Sequence, residues 1–257
     1  MAASAPRIEL DSRDPAAVDG RRLRAVAFQD VRLAYVREVV RDVGLAGAGN
    51  AALVVGNGRG PLAVSLAGLG FAVTAADPSA AATEMARTES AAAGLAVEHV
   101  LGDAEKLPLG DRAFALVYVA DTLETAADLD GVVREAARVL APDGVLVYDT
   151  VNRTWLAKAI YLGAFQRFPG TRIMPPGRYT AERLRTPGEM ADVLARHGLA
   201  NEDTRGFKPR NPLRLVTATR KRRQGKITDE QIPPLVDFVL GGDPLVTYLG
   251  YARQTAR

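Results

Sequence analysis

Short apolar runs alternate with longer amphipathic stretches through the first two thirds of the chain. The runs are rich in Val, Ala and Leu and have the length of buried strands, whereas the stretches between them repeat apolar residues at helical spacing. Strands are predicted at 52–55, 72–76, 97–101, 115–119 and 145–149, and helices at 61–69, 79–93, 129–140 and 186–197. This alternation predicts an α/β fold, with a parallel sheet wound by helices on both faces. The amphipathic pattern of residues 19–43 predicts one or two further helices beside the sheet.

A glycine-rich turn, LVVGNGRG at residues 53–60, connects the first predicted strand with the first helix. Glycine adopts positive φ values, and without a Cβ it lets a ligand approach the main chain. The free N–H groups at the start of the following helix then face that ligand. Because the spacing G-x-G-x-G is one residue tighter than the dinucleotide fingerprint, the turn alone also fits an ordinary strand-to-helix connection.

Polar residues follow the carboxyl ends of several predicted strands, where parallel sheets bind their ligands. Asp77 ends the second strand about 20 residues beyond the glycine turn, where a carboxylate can accept both hydroxyls of a ribose. An aspartate before Pro-Ser is also a common helix cap, but its register with the glycine turn favours the ribose role. The third strand runs into GDAE at 102–105, and Asp121 and Glu124 follow the fourth.

The composition narrows the chemistry that the chain can perform. Its 257 residues are 47% hydrophobic and 25% charged, which suits one large domain with a full core. No apolar run approaches the roughly 18 residues that would span a bilayer, and no signal-peptide pattern is visible, so a cytoplasmic protein is expected. Zero cysteines exclude disulfides and thiolate chemistry, which leaves oxygen atoms and two histidines as metal ligands.

The net charge of +3 is unevenly distributed. Residues 150–181 contain five basic and no acidic residue, and residues 204–228 contain nine basic and no acidic residue. This asymmetry predicts an anionic substrate or surface beside the second half of the chain, although solvated basic faces would give the same pattern. No nucleic-acid-binding module is visible, and aromatics are too sparse in the second basic segment to stack bases, so nucleic acid is not an expected partner.

Together, the strand ends resemble those of class I S-adenosylmethionine-dependent methyltransferases. The matching stretches are LVVGNGRG at 53–60, VTAAD at 73–77, GDAEKLPL at 102–109, FALVYV at 114–119 and LAPDGVL at 140–146. The resemblance implies a Rossmann-like fold with a seven-stranded, mostly parallel sheet and S-adenosylmethionine as cofactor. The last two strands would form a hairpin, for which 201–207 and 213–219 are the candidates.

Carried over position by position, the resemblance assigns the cofactor to the carboxyl edge of the sheet. The glycines of the turn would approach the methionine part, Asp77 would take the ribose hydroxyls, and Asp103 with Ala104 would meet the adenine. The full set of predicted cofactor-binding residues is Val55, Gly56, Asn57, Gly58, Gly60, Asp77, Pro78, Asp103, Ala104 and Ala120.

Beyond residue 150 the resemblance narrows to the O-methyltransferases of ubiquinone biosynthesis. TVNRT at 150–154, the segment 206–212 and VTYL at 246–249 fit that family, and the resemblance covers roughly residues 32–253. It implies methyl transfer to the oxygen of a phenolic or hydroxylated small molecule, either quinone-like or a secondary metabolite. The Ala- and Arg-rich composition and three departures favour an acceptor other than a ubiquinone precursor.

The departures concern one acidic residue and two histidines. Val54 stands where an acid would help to orient the methionine ammonium, and Thr125 stands where a histidine accompanies the two acids after the fourth strand. A second family histidine has no counterpart in GTRI at 170–173. The usual imidazole base of the family is therefore missing from both expected positions.

Without that imidazole, proton removal from the acceptor would fall to Asp121, Glu124, a metal-bound oxygen or water. A phenol with a pKa of about 10 is acidic enough that positioning of its oxygen against the sulfonium methyl group can supply most of the catalysis. The two carboxylates make only a weak site for magnesium, because oxygen-only sites usually need more ligands. His99 lies inside a strand and His197 near a helix end, where structural roles are expected.

The chain is expected to form one methyltransferase domain over residues 17–257 after a flexible segment at 1–16. A helical cap at 17–46 and a lid insertion at 150–185 would close over an aromatic or hydroxylated acceptor. The predicted acceptor-binding residues of the insertion are Arg153, Tyr161 and Phe165.

The insertion also supports a second interpretation. Residues 153–172 combine large apolar side chains with four cations and no acid, which fits a helix lying on an anionic membrane surface. The apolar residues spread around the helix rather than forming one stripe, and this favours the lid. Two other functions stay open from the sequence: a methyltransferase fold with different chemistry, such as decarboxylation, hydroxylation or cyclisation, and a cofactor-binding subunit without catalysis.

Overall fold

One eight-stranded sheet forms the centre of the computed structural model, which describes residues 6–255. In chain order the main elements are α1 Gly20–Asp42, β1 Ala51–Val55, α2 Pro61–Gly68, β2 Ala72–Asp77, α3 Ala80–Ala92, β3 Val97–Leu101, β4 Phe114–Val119, α4 Leu129–Val139, β5 Leu140–Val151, α5 Trp155–Lys158, α6 Pro187–Arg196, β6 Leu199–Pro209, α7 Pro212–Arg223, β7 Phe238–Leu240 and β8 Thr247–Gln254. A π-helix over Ala159–Ala164 continues α5, and short 3₁₀ turns lie at Ala181–Arg183, Asp229–Gln231 and Pro233–Leu235.

The strand order is β3-β2-β1-β4-β5-β8-β6-β7. The first five of these strands pair in parallel, whereas β8 is antiparallel to β5 and β6, and β6 is antiparallel to β7. Because the chain proceeds from β1 toward β3 on one side and from β4 toward β5 on the other, the order reverses between β1 and β4. Open α/β sheets bind ligands at the carboxyl ends of the strands beside such a switch point.

Two apolar cores cover the faces of the sheet. One face packs under α4 and α6 through Val132, Val139 and Val193, and the other packs under α1 and α2 through Val36 and Leu66. A third cluster joins the N-terminal segment, the lid insertion and α7 at one end of the molecule. The cap helix α1 therefore belongs to the core and is not a loosely attached addition.

The sheet has eight strands, one more than the seven predicted. Residues 213–219, predicted as a strand, lie in α7, because Asn211 caps this helix by accepting from the N–H groups of Leu213 and Arg214. Pro212 occupies the first turn, where its missing N–H costs nothing. Strand β6 pairs with β8 on one side and with the extra strand β7 on the other, and β7 precedes β8 in the chain.

The other predicted elements lie within a few residues of those in the structure, except that the fifth strand is longer than expected. Of the segment 1–16, residues 1–5 lie outside the described part of the chain. Ile8 forms a parallel bridge with Val18, and Arg223 donates to the carbonyl of Pro6, so the segment from residue 6 onward packs against the domain. Within residues 6–255, no helix has both the length and the apolar character needed to cross a bilayer.

Candidate functional site

The glycine turn follows β1 at the switch point. Gly56, Gly58 and Gly60 all have positive φ angles, of 77°, 54° and 95°. A Cβ at Gly56 would collide with the carbonyl oxygen of Ala120 and the hydroxyl of Thr122, so the loop after β4 presses directly on the turn. At these three positions the turn therefore presents main chain without a Cβ at the carboxyl edge of β1.

Asp77, at the end of β2, is the acceptor of three donors. Its Oδ2 accepts from the Gly58 N–H at 2.8 Å and from Arg21 Nη2 at 2.6 Å, and its Oδ1 accepts from the Ser79 N–H at 2.9 Å. The other terminal nitrogen of Arg21 donates to both carboxylate oxygens of Asp11, at 2.8 and 2.9 Å. The carboxylate predicted to hold a ribose is thus bonded to a cation of the cap.

A second cluster of charges lies behind the glycine turn, at the ends of β4 and β5. Arg24 contacts Asp121 at 2.8 Å and Glu124 at 2.6 Å, and Arg32 contacts Asp121 and Asp149, both at 2.8 Å. Glu124 is fully buried, and Arg32 is 2% exposed. Asp121 has a φ of 48°, a left-handed conformation that is unusual outside glycine and places its carboxylate between the two guanidinium groups.

Burial and the two arginines act in opposite directions on these carboxylates, and the balance differs between Asp121 and Asp149. Burial by itself would raise the pKa of Asp121, but the charges of Arg24 and Arg32 outweigh burial and hold its pKa below the usual value. Burial dominates at Asp149 and raises its pKa to about 6, although Arg32 opposes the shift. Asp121 is therefore ionised at neutral pH and has little tendency to accept a proton.

Aromatic rings enclose Arg24 on the side of the lid. Its guanidinium lies 5.2 Å from the ring centre of Tyr161, 5.7 Å from Tyr179 and 5.4 Å from Phe28, and it donates to the Tyr179 hydroxyl at 2.7 Å. Phe165 packs edge-on against Tyr161. Burial raises the pKa values of both tyrosines, so neither phenol ionises near neutral pH. These rings therefore form an aromatic wall around one fixed cation, Arg24.

A cavity of about 10 Å³ remains between α1 and the glycine turn. Such a volume holds about one water molecule. Its lining includes Arg21, Gly56, Asn57, Gly58 and Asp121, which are residues of the cap, the turn and the β4 end. The structure thus shows the cap closed on the carboxyl edge of the sheet.

The comparisons with known proteins agree with this geometry. A family model described as a methyltransferase domain matches residues 53–148. The ubiquinone biosynthesis O-methyltransferase of Chelativorans sp. (strain BNC1) is 32% identical over 70% of this chain and 73% of its own length. The enzyme of the same name from Xanthomonas axonopodis pv. citri (strain 306) is 33% identical over 78% of this chain and 83% of its own. The chain belongs to the family of ubiquinone biosynthesis O-methyltransferases.

A solved structure supports the fold of the methyltransferase. Magnesium protoporphyrin IX methyltransferase from Synechocystis PCC 6803, with bound S-adenosylhomocysteine, superposes with a TM-score of 0.59 at 17% identity, over 91% of this chain and 86% of that one. The class I methyltransferase fold predicted from the sequence is therefore confirmed, with the strand number corrected. The chain is an S-adenosylmethionine-dependent enzyme that transfers a methyl group to a small molecule.

The remaining cofactor residues predicted from the sequence lie along the same edge. Val55, Ala104 and Ala120 are buried, whereas Pro78 and Asp103 are exposed. Asn57 is also buried, and its side-chain oxygen has no hydrogen-bond partner among residues 6–255. A free acceptor oxygen between glycines fits a polar ligand, so the residues present suit the cofactor of this family.

Arg153, predicted to bind the acceptor, and the two histidines, expected to be structural, lie apart from the glycine turn. Arg153 donates to the carbonyl of Leu184 and pairs with Glu189 at 2.7 Å, which ties the lid insertion to the start of α6. His99 contacts Ser90, and His197 contacts Asp130, each at 3.0 Å. Within the described chain, no group of three His, Cys, Asp or Glu side chains converges as metal ligands.

Sequence reasoning missed the arginines of the cap. Arg21, Arg24 and Arg32 lie on one face of α1 together with the buried rings of Phe28 and Tyr35. Their positions repeat at helical spacing, and cations at core-facing positions of a helix indicate buried acidic partners. That pattern could have predicted that carboxylates at the sheet edge pair with the cap.

We expect Arg32→Met to destabilise the methyltransferase strongly, because Asp149 and Asp121 would lose a buried cation. Removing one partner of a buried ion pair costs about 3–5 kcal/mol. The loss should be smaller at pH 5 than at pH 8, since Asp149 can take up a proton at the lower pH and no longer needs a partner. Urea unfolding at both pH values, with Arg41→Met as the exposed control on the same helix, measures the difference. Equal losses for both variants would contradict this account.

Proposed function

We propose that the methyltransferase methylates a hydroxyl oxygen of a phenolic or otherwise hydroxylated small molecule. The observation that carries the proposal is the match to enzymes named ubiquinone biosynthesis O-methyltransferases over most of the chain. The aromatic wall of Tyr161, Phe165 and Tyr179 beside the β4 end supports an aromatic acceptor. This match favours methyl transfer over decarboxylation, cyclisation or a non-catalytic role. Mass analysis of the product formed with isotope-labelled cofactor separates these possibilities, because only methyl transfer carries the labelled methyl group into the product.

The glycine turn and the ends of β2 and β3 would hold the cofactor. Asp77 would accept the ribose hydroxyls, the turn would lie against the methionine part, and Asp103 with Ala104 would border the adenine. The other residues of this proposed set are Val55, Gly56, Asn57, Gly58, Gly60, Pro78 and Ala120. When bound, the cofactor supplies a methyl group on a sulfonium, and the acceptor oxygen must lie roughly 3 Å from that carbon.

Asp121 and Glu124, the candidates for a general base or a weak metal site, would act by position and charge. Arg24 forms ion pairs with both carboxylates, and the lowered pKa of Asp121 makes it a weak base. Their negative charges border the place where a sulfonium would lie, which stabilises the bound cation. The acceptor would therefore react as an anion that forms by its own ionisation, with Arg24 as a permanent cation at the β4 end.

Magnesium does not fit the carboxylates in this arrangement. Both Asp121 and Glu124 already carry an arginine within 2.8 Å, and a divalent cation would have to displace that guanidinium.

The pH dependence of the reaction tests the proposed ionisation. We expect kcat/KM to rise with pH along the titration of the acceptor itself, because Asp121 stays ionised and paired across the neutral range. A nitro-substituted catechol should therefore reach its plateau at a lower pH than the unsubstituted catechol. A rising limb at the same pH for both acceptors would instead assign the proton to a base of the enzyme.

Truncation of Asp77 tests the cofactor site. We expect Asp77→Ala to weaken binding of S-adenosylhomocysteine about tenfold or more, since hydrogen bonds to a charged group contribute about 1.5–3 kcal/mol each. Calorimetric titration measures the affinity, and Asp143→Ala, an exposed aspartate in β5, is the control. Unchanged affinity in the folded Asp77 variant would exclude its role at the ribose.

A peripheral membrane contact is a second proposed property of the lid insertion. Trp155 is 79% exposed and Phe168 is 63% exposed, while Tyr161 of the same insertion is buried. Lys158 and Arg167 lie beside the exposed rings in sequence, and cations next to exposed aromatics suit an anionic lipid surface. The insertion would thus serve both as an inner wall for the acceptor and as an outer contact for lipid.

Liposome flotation tests this contact. We expect the protein to float with phosphatidylglycerol vesicles at low salt and to stay behind with phosphatidylcholine vesicles. Trp155→Glu combined with Phe168→Glu should abolish flotation, whereas Leu101→Glu, at an exposed leucine of the edge strand β3, should not. Equal flotation of all three proteins would remove the insertion from any lipid contact.

A further inference from the structure

Arg21 occupies the position at Asp77 that the proposed function reserves for the ribose. Its Nη2 lies 2.6 Å from Asp77 Oδ2, which also accepts from the Gly58 N–H. The second oxygen of Asp77 is bonded to the Ser79 N–H. A carboxylate accepts about four hydrogen bonds in all, and an arginine side chain fills the approach to the outward-facing oxygen. Three of these positions are taken, so a ribose that donates from both hydroxyls must displace one donor, and Arg21 is the only side chain among the three.

The space around this pair excludes the cofactor as long as α1 stays in place. The cavity between the cap and the glycine turn measures about 10 Å³. A cofactor of drug-like size needs a site of roughly 300 Å³ or more. Cofactor entry therefore requires movement of the first turns of α1 as well as loss of one ion pair.

Asp11 offers Arg21 a second partner during that movement. Both oxygens of Asp11 accept from Arg21 Nη1, at 2.8 and 2.9 Å. Asp19 positions Asp11 by accepting from its N–H, and it also caps α1 by accepting from the Arg21 N–H. The guanidinium can thus leave Asp77 and stay paired with Asp11, so that no buried cation is stranded.

We propose that Arg21 gates the cofactor site by exchanging between Asp77 and Asp11. In the closed state Arg21 bridges both carboxylates and blocks the ribose position. In the open state it pairs with Asp11 alone, and Asp77 is free for the cofactor. The ion pair with Asp77 competes with the neutral ribose hydroxyls, so only open molecules bind the cofactor. The apparent affinity is therefore the affinity of the open state multiplied by the fraction of molecules that are open. The inference rests on the proposed role of Asp77 and adds a regulation of that site.

Two substitutions should change cofactor affinity in opposite directions. Arg21→Gln removes the competitor, so S-adenosylhomocysteine should bind about tenfold more tightly if about one parent molecule in ten is open. Asp11→Asn weakens the alternative partner and leaves Arg21 on Asp77, so it should weaken binding severalfold. In the Arg21→Gln background, Asp11→Asn should have no further effect, since the exchanging cation is gone.

Calorimetric titration of the full-length chain measures all four affinities, and thermal melting checks that each variant is folded. Arg41→Gln, on the exposed end of α1 and paired only with Asp42 among the described residues, is the charge-matched control and should bind like the parent. Should Arg21→Gln fail to fold, Arg21→Lys replaces it, because lysine keeps the charge but lacks the fork that spans two carboxylates. It should tighten binding in the same direction by a smaller factor.

The outcomes separate the gate from the proposed function. Tighter binding by Arg21→Gln, with the opposite effect of Asp11→Asn confined to the parent background, supports the gate. Equal or weaker binding by Arg21→Gln overturns the gate while leaving the cofactor site intact. An effect of Asp11→Asn that persists without Arg21 overturns the exchange. If neither the parent nor any variant binds S-adenosylhomocysteine, the assigned cofactor site is wrong, and the gate fails with it.

Discussion

The pairing of cap arginines with carboxylates at the edge of the sheet is the interaction on which the site depends. Buried charges are tolerated only with partners, and here every partner comes from a different part of the chain. Arg24 and Arg32 of α1 meet Asp121 after β4 and Asp149 in β5. The same contacts that hold the N-terminal helix in place also fix the charge and orientation of the residues proposed to lie beside the reacting methyl group.

This arrangement explains how a member of the family can lack the expected histidines. Arg24 is a permanent cation enclosed by Tyr161, Tyr179 and Phe28, so it can stabilise an anionic oxygen without exchanging a proton. In the proposed reaction, the acceptor loses its proton to the solvent, which would favour acceptors that ionise easily. Val54, which replaces an acidic residue of the family, is packed in the core under α1 and α2. In the proposed cofactor site, the negative charges come instead from Asp77 and the β4 end.

The sequence predicted the parallel half of the fold well, because buried strands, glycine turns and strand-end acids leave local patterns. The turn at Gly56 and the acid at Asp77 are examples, and both lie at the switch point. Residues 213–219 were misassigned, since β-branched and leucine residues in a short run fit a strand as well as a helix, and only the Asn211 cap decides. The cap arginines were missed because their partners at the sheet edge lie more than 50 residues away in the chain, a separation that no local pattern encodes.

The position of β8 affects how the protein can fold while it is being synthesised. This strand lies between β5 and β6, although it follows both in the chain. Until residues 247–254 leave the ribosome, β5 is an open edge strand, and β6 and β7 have no place in the sheet. An unpaired apolar edge invites association with other chains, so the nascent protein is most vulnerable to aggregation just before its last strand emerges. Chaperone engagement at that stage would protect this edge.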